Sequence, residues 1–370
     1  MREAPLVSVV MVVCNVDRFL AEAIEGILAQ TFRDFEFVIV DFGSTDKSKE
    51  IISSYAVKDS RIKFHEIPHC RLSEARDAAG SFATGRYIAI TDADDVSLPD
   101  RLACQVEFME RHPRVGVVGG GVEFIDATGR SLTSAVTAFG TNLHNPIENS
   151  EIQSEMLIRC TFWAAVLVRR EAFVKAGGYR SVFVQAEDYD LYMRISDHYE
   201  LANLKQVVFK YRIHSHQVSI RKREQQALYI LAVPASAIAR RNGNTDPVDG
   251  VQEITPELLV QMGVSEEKQQ VAIAGYYNGW IQIMCAAGEW STALNASADM
   301  LKSSDWRLIG TKARFDMRTS VAKLYWKNRR FLKSVITASP ALITQPRLAK
   351  RFLKDRLRGM RSVQAVRRVL

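Results

Sequence analysis

Apolar and polar positions alternate between two rhythms along roughly the first 220 residues of this chain. Val7 to Val13 is a nearly unbroken valine-rich run, the composition of a strand buried on both faces of a parallel sheet. Leu20, Ile24, Ile27 and Leu28 then recur at helical spacing, giving a stripe that covers such a sheet. The alternation repeats: Phe35 to Val40 reads as a second strand, and a helix carrying Ile51, Ile52 and Tyr55 follows it. Ile62 to His65 reads as a third strand, a helix runs from about Ser73 to Phe82, and Tyr87 to Ile90 is a fourth strand. Strands alternating with helices predict βαβ crossovers and a mostly parallel α/β sheet, whose ligands sit beyond the carboxyl ends of the strands. Val115 to Val118, Ala164 to Val168 and Gln206 to Tyr211 are further strand candidates, and Leu191 and Ile195 mark a helical face between the last two.

Past residue 220 the pattern becomes helical. The polar stretch Asn242 to Gly250 reads as a linker, and Val271 to Ala287 and Trp290 to Leu301 read as two helices joined tightly at Gly288. A length of 370 residues accommodates a large core and a smaller appendage. The pattern divides the chain into an α/β domain at 1–220, a helical C-terminal region at 221–345 and a basic amphipathic tail at 346–370.

Composition narrows the classes. The five cysteines are widely spaced and lack a Cys-x-x-Cys pair, which argues against a zinc site or a disulfide framework and for a reducing, cytoplasmic setting. The apolar run from Leu6 to Cys14 is cut off by Asn15, Asp17 and Arg18, short of a membrane span and without a signal-peptide pattern. The formal charge of +7 is carried by the tail, where nine Lys and Arg face the single acid Asp355, so the body is close to neutral and gives no electrostatic reason to expect nucleic acid. In the tail, Leu353, Leu357, Met360, Val363, Val366 and Leu370 step by three or four residues between arginines. Such a helix suits a peripheral seat on an anionic membrane surface; a solvated helix packing on the N-terminal α/β domain fits the same pattern.

The chemistry concentrates at Asp92-Ala93-Asp94-Asp95, directly after the fourth strand. Three carboxylates crowded at a strand end repel one another, and a hard cation such as Mn2+ or Mg2+ relieves that repulsion while holding diphosphate oxygens. Asp41 falls at another strand end on the same predicted rim. Glu187 and Asp188 open a helix, where first-turn acids are also common for purely structural reasons.

Together these motifs, in order, carry a resemblance. Val7 to Asn15, Gln30-Thr31-Phe32, Asp41 to Asp46, Ala75-Arg76, the acidic tetrad, Glu187 to Leu191 and Tyr211-Arg212-Ile213-His214 are similar to family 2 glycosyltransferases over about residues 5 to 220. The resemblance implies a GT-A fold and metal-dependent, inverting transfer of a sugar from a nucleotide-diphosphate donor to a hydroxyl of a glycan or lipid-linked acceptor. By the same resemblance, Val12, Asn15, Asp41, Phe42, Arg76, Asp92, Ala93 and Asp94 would bind the nucleotide sugar. Asp94 and His214 would hold the metal, Asp188 would be the general base, and Trp163 and Glu187 would lie on the acceptor side. The implied pathway is synthesis of a surface polysaccharide or glycoconjugate.

Four departures fall in recognition positions. Phe42 stands where the family commonly has a second carboxylate that bonds a uridine base, and Val12-Val13-Cys14-Asn15 stands for Pro-x-Tyr-Asn. His69-Cys70-Arg71-Leu72 replaces Asn-x-Gly-Leu, with Asp77 for the Asn after Arg76, and Cys160 to Ala164 replaces a more polar segment. Phe42 fits a base-stacking ring, a donor other than a uridine nucleotide, or simple packing; Trp163 fits a sugar platform or a core position. Two rivals follow: a catalytically silent, nucleotide-sugar-binding relative, and a nucleotidyltransferase. The second needs a glycine-rich loop after the first strand, and Cys14 to Arg18 has no glycine.

Overall fold

The structure, a computed structural model, describes residues 4–132, 148–217 and 222–303, then 305, 307–309, 311–327, 333 and 337. The tail at 346–370 lies outside the described residues. Four βα steps build the first half as the apolar rhythm predicts: β1 (Val7–Val13), α1 (Asp17–Leu28), β2 (Phe35–Asp41), α2 (Ser48–Ala56), β3 (Ile62–Glu66), α3 (Leu72–Phe82), β4 (Tyr87–Thr91) and, after the short β5 (Val96–Ser97), α4 (Arg101–Arg111). β6 (Val115–Asp126), α5 (Asn149–Glu155), β7 (Leu167–Arg169), α6 (Arg170–Lys175), α7 (Glu187–Ile195), β8 (Glu200–Ile213) and α8 (Arg223–Arg241) follow.

All eight strands form one sheet in the order β3-β2-β1-β4-β7-β6-β8-β5. β3, β2, β1 and β4 are mutually parallel, whereas β7 runs antiparallel between β4 and β6, and β5 runs antiparallel to β8. The sheet is therefore parallel on one side and mixed on the other. Its two-sided burial explains the valine-rich strands: Val7, Val9, Met11 and Val13 of β1 share one core cluster with Leu20, Ala23, Ile24 and Ile27 of α1.

Of the three later strands expected, Val115 to Val118 and Gln206 to Tyr211 fall short of β6 and β8, whereas Ala164 to Val168 begins too early, because only Leu167–Arg169 pairs as β7. β6 and β8 pair in parallel from Val115 and Glu200 as far as Asp126 and Ile213, with register shifts at Val115/Val117 and around Gly121. The glycine run in β6 makes the pairing possible, because a Cβ on Gly121 would stand 3.0 Å from the Gln206 carbonyl. Polar Lys205 and Gln206 and the glycines hid the continuity of both strands from an apolar pattern.

Residues up to Val264 with Ala286–Gly288 form one compact unit, and Ser265–Cys285 with the later residues a second. The Asn242 to Gly250 stretch is no free linker: Asp246 is buried in the first unit, accepting from Arg180, Arg240 and Ser236. The C-terminal region is helical, with α9 (Pro256–Gln261), α10 (Glu266–Ala286), α11 (Trp290–Ser303) and α12 (Thr311–Lys327). Among the described residues, no helix is long and apolar enough to cross a membrane.

Candidate active site

β1, β2 and β4 all end on the carboxyl rim of the sheet, and the loops that leave them are tied to one another. Asp41, fully buried, closes the turn after β2 by accepting from the amides of Gly43 (3.0 Å) and Ser44 (2.9 Å). That turn needs glycine at 43, where φ is +98° and a Cβ would stand 2.9 Å from that of His69. The second oxygen of Asp41 has no hydrogen-bond partner. Asn15, in the left-handed region at φ 55°, spends its carboxamide oxygen on the Thr45 amide (2.8 Å) and hydroxyl (3.1 Å). Its own amide donates to Ser44 Oγ, and the next two amides donate to Ser48 Oγ and Asp46 Oδ2. These bonds satisfy donors left open at the start of α1 and make Asn15 a brace between two loops.

From β4 the acidic loop crosses the rim toward β8, because β5 pairs there. Ala93 turns its side chain into the core, and one carboxylate oxygen from each of Asp92, Asp94 and Asp95 falls within 4.8 Å of the others. His214, just past β8, places Nε2 2.9 Å from Asp94 Oδ2. Asp95, only 3% exposed, accepts from the Arg212 amide at 2.9 Å through one oxygen while the other has no partner. Burial, and then the charges of Asp94 and Asp92, push the Asp95 carboxyl well above the usual range. Hard carboxylate oxygens, one of them buried without a donor, together with an imidazole nitrogen, are a donor set that fits Mn2+ or Mg2+.

A second constellation abuts the first. Arg76 of α3 donates to Asp92 Oδ1 at 2.9 Å and lies 3.2 Å from Glu187 Oε1, an ion-pair distance without hydrogen-bond alignment. Burial pushes Asp92 up to about 6 against the pull of Arg76, and pushes the more deeply enclosed Glu187 up to about 8. Arg76 is thus one positive charge set between two carboxyls that burial biases toward their protonated forms, Glu187 more than Asp92. Asp188, the next residue, contributes to the field at Arg76, Asp92 and Glu187, which sets it at the same site. A water-sized cavity of about 10 Å³ beside Arg76 and Asp92 is lined also by Val12, Ala79, Thr91 and Tyr179.

The remaining expected residues divide. Phe42 is buried and its ring lies 6.2 Å from His69 at an interplanar angle of 16°. Trp163 is half-buried in an aromatic cluster with Phe124 (5.1 Å) and Tyr211 (5.5 Å). The sequence reading missed Tyr179, whose amide is fixed by Asp77 at 3.0 Å, and the structural part played by two fully buried arginines, Arg101 and Arg212. The available signal was clear only for Arg212, a charged residue between Tyr211 and Ile213; Arg101 follows Asp100 and reads as an ordinary first-turn residue. Arg101 grips the end of β4 through the Ile90 carbonyl at 2.5 Å and the neighbouring segment through the Val166 carbonyl at 3.2 Å.

Comparison with known proteins identifies the family and the fold. A family profile described as Glycosyl transferase family 2 matches residues 8–175. An uncharacterized glycosyltransferase of Methanocaldococcus jannaschii is 31% identical over 236 residues, covering 61% of this chain and 77% of the relative. The putative glycosyltransferase EpsE of Bacillus subtilis is 34% identical over 217 residues, 57% of this chain and 74% of the relative. The O-antigen biosynthesis glycosyltransferase WbnJ of Escherichia coli is 29% identical over 219 residues, 58% and 82% of the two chains. Among solved structures, a mannosyltransferase of Pyrobaculum calidifontis, in complex with GDP-Man and Mn2+, superimposes with a TM-score of 0.52 at 19% identity over 91% of this chain and 86% of that one. Staphylococcus aureus TarS 1-349 does so with a TM-score of 0.50 at 16% identity over 92% of each. The fold is thus that of GT-A glycosyltransferases, and the chain is a glycosyltransferase belonging to glycosyl transferase family 2.

Proposed function

We propose that this glycosyltransferase moves a sugar from a nucleotide-diphosphate donor to an acceptor hydroxyl with inversion, using Asp188 as general base and a divalent cation held by Asp94 and His214. The observation that carries the reading is the meeting of two groups on one rim: Asp94 with His214, and Arg76 with Asp92 and Glu187 beside Asp188. Such a cation supplies neutralisation of the charge that develops on the departing diphosphate. Arg76 adds a fixed positive charge at the same place, and Asp92 keeps it oriented. Asp188 takes the proton of the acceptor hydroxyl as that oxygen attacks the anomeric carbon, a contribution of about 100- to 10,000-fold. One such base, with no covalent intermediate, suffices for inversion. The complex of the structural neighbour with GDP-Man and Mn2+ is consistent with this donor and metal class.

The acceptor side is read from chemistry and relatives together. Trp163 in its aromatic cluster and the naming of WbnJ for O-antigen biosynthesis support a glycan acceptor in surface polysaccharide synthesis. The basic tail would hold the enzyme at the anionic cytoplasmic face of a membrane, where a lipid-linked acceptor resides. Cosedimentation with anionic liposomes of the full chain, but not of a truncation ending at Gln345, is the expected result.

Thermal-shift screening of nucleoside diphosphates and their sugars, with and without Mn2+, tests the core of the proposal. A donor should raise the melting temperature of the wild type in a Mn2+-dependent way, and Asp94→Ala should lose that dependence. If no nucleotide stabilises the wild type and Asp94→Ala melts identically under every condition, this reading fails; a donor that binds without ever being transferred would favour the silent, nucleotide-sugar-binding relative.

A further inference from the structure

Arg212 has the most demanding position in the catalytic unit. It is 1% exposed, and its guanidinium reaches four groups: the Asp94 carbonyl from Nε (2.9 Å), Glu22 Oε2 from Nη2 (2.6 Å), the Asp126 carbonyl from Nη1 (3.4 Å), and the Phe19 ring, 4.9 Å from its centroid. Burying a guanidinium this deeply is costly unless its donors are used and its charge is met. Glu22 meets the charge, and the two remaining bonds go to main-chain carbonyls, one in the acidic loop and one at the end of β6.

Of the two groups assigned above to the cation, this side chain bonds one directly and reaches the other through a shared ring. Asp94 is fixed at its own carbonyl by Arg212 Nε. His214 packs against the same Phe19 ring on which Arg212 rests, with ring centroids 4.7 Å apart. The loop carrying Asp94 is brought to the end of β8 by β5 and by the Arg212 amide, which donates to Asp95, yet its three neighbouring carboxylates repel one another. A buried positive charge bonded to the Asp94 carbonyl offsets that repulsion and adds to the hold of the strand pairing.

We infer that Arg212 is a positioning residue for the divalent cation site, preorganising Asp94 through its carbonyl and His214 through Phe19. The inference rests on the reading of Asp94 and His214 as the metal ligands. Partners that orient metal ligands without touching the metal typically change affinity by about 10- to 100-fold when lost.

The test is a Mn2+ titration of the full-length protein, reading free Mn2+ by electron paramagnetic resonance, for wild type, Asp94→Ala, Arg212→Gln and Arg212→Lys. Arg212→Gln should weaken Mn2+ binding by about 10- to 100-fold, and Arg212→Lys, which keeps the charge and one nitrogen for the Asp94 carbonyl, should recover part of that loss. A merely structural arginine would lower the melting temperature and leave the affinity of the folded protein unchanged. If wild type binds Mn2+, Asp94→Ala does not, and both arginine variants bind within about twofold of wild type, the positioning role is overturned and the metal reading stands. If Arg212→Gln does not fold, Arg212→Lys decides alone by the same criterion. No Mn2+ binding by wild type, or unchanged binding by Asp94→Ala, overturns both.

Discussion

His214 Nε2 lies 2.9 Å from Asp94 Oδ2 although 120 positions of sequence separate them. The contact exists because the acidic loop leaves β4 and crosses the rim to where β8 ends, and β5 pairs with β8 at Val96 and Lys210 to keep it there. An imidazole and a carboxylate that already meet need little reorganisation to share a cation. Dialysis against a chelator should abolish sugar transfer, and Mn2+ or Mg2+ should restore it. His214→Ala should lower transfer at saturating donor by about 100-fold, with the loss partly reversed by raised Mn2+. Undiminished activity after exhaustive chelation would remove the metal from the reaction.

Asp188 offers a cleaner separation of binding from chemistry. Its carboxylate opens α7 and accepts from the Tyr189 amide at 2.7 Å, and Asp188→Asn keeps the size and the acceptor oxygen. That variant should bind the donor as wild type does, by calorimetry, while transfer falls by about 100- to 10,000-fold. Retained transfer would assign the base elsewhere.

Arg76 stands between Asp92 and Glu187 with its side chain 12% exposed. Removing one member of a buried ion pair leaves an uncompensated charge, a loss of about 3 to 5 kcal/mol. Arg76→Met should therefore unfold at lower urea and also lose donor binding. Adding Asp92→Asn to it should recover stability without recovering binding, because only the first effect comes from the stranded carboxylate. Two independent, additive losses would mean the residues are not coupled.

The parallel half of the fold was legible because apolar rhythm and burial coincide there: Val7 to Val13 and Leu20 to Ile27 were read as strand and helix and share one core cluster. The mixed half was not, since β6 carries four glycines and β8 a polar centre that pairing, not hydropathy, holds in the sheet. Within the site, Asp92, Asp94, Asp188 and Arg76 announce themselves as charges in motif positions. Asn15 and Ala93 did not reveal which way they turn, because the sequence places a residue at a loop but not its side chain: one braces Thr45 and the other enters the core. Arg212 belonged to a recognised motif, yet its depth and its four partners depend on β8 extending to Ile213, which the short expected strand did not supply.

Asp246 gives the fold a pH signature independent of catalysis. Burial would raise its carboxyl, but hydrogen bonds from Ser236 and Arg240 and the charge and hydrogen bond of Arg180 outweigh that and hold it at about 2. The unfolded chain should titrate near the ordinary value of 3.8, so between the two values the unfolded state binds more protons and stability rises with pH. The contribution is fully present above about pH 5, near 2 to 3 kcal/mol, falls to roughly half by pH 3, and is almost gone at pH 2. Asp246→Asn should accordingly be less stable than wild type by at least that amount at pH 7, since it also leaves Arg180 and Arg240 facing each other without their shared anion. Urea unfolding of both proteins at pH 7, 4 and 3 measures the difference, which should shrink as pH falls. A gap that stays constant over this range would mean that the carboxylate charge is not what Asp246 contributes.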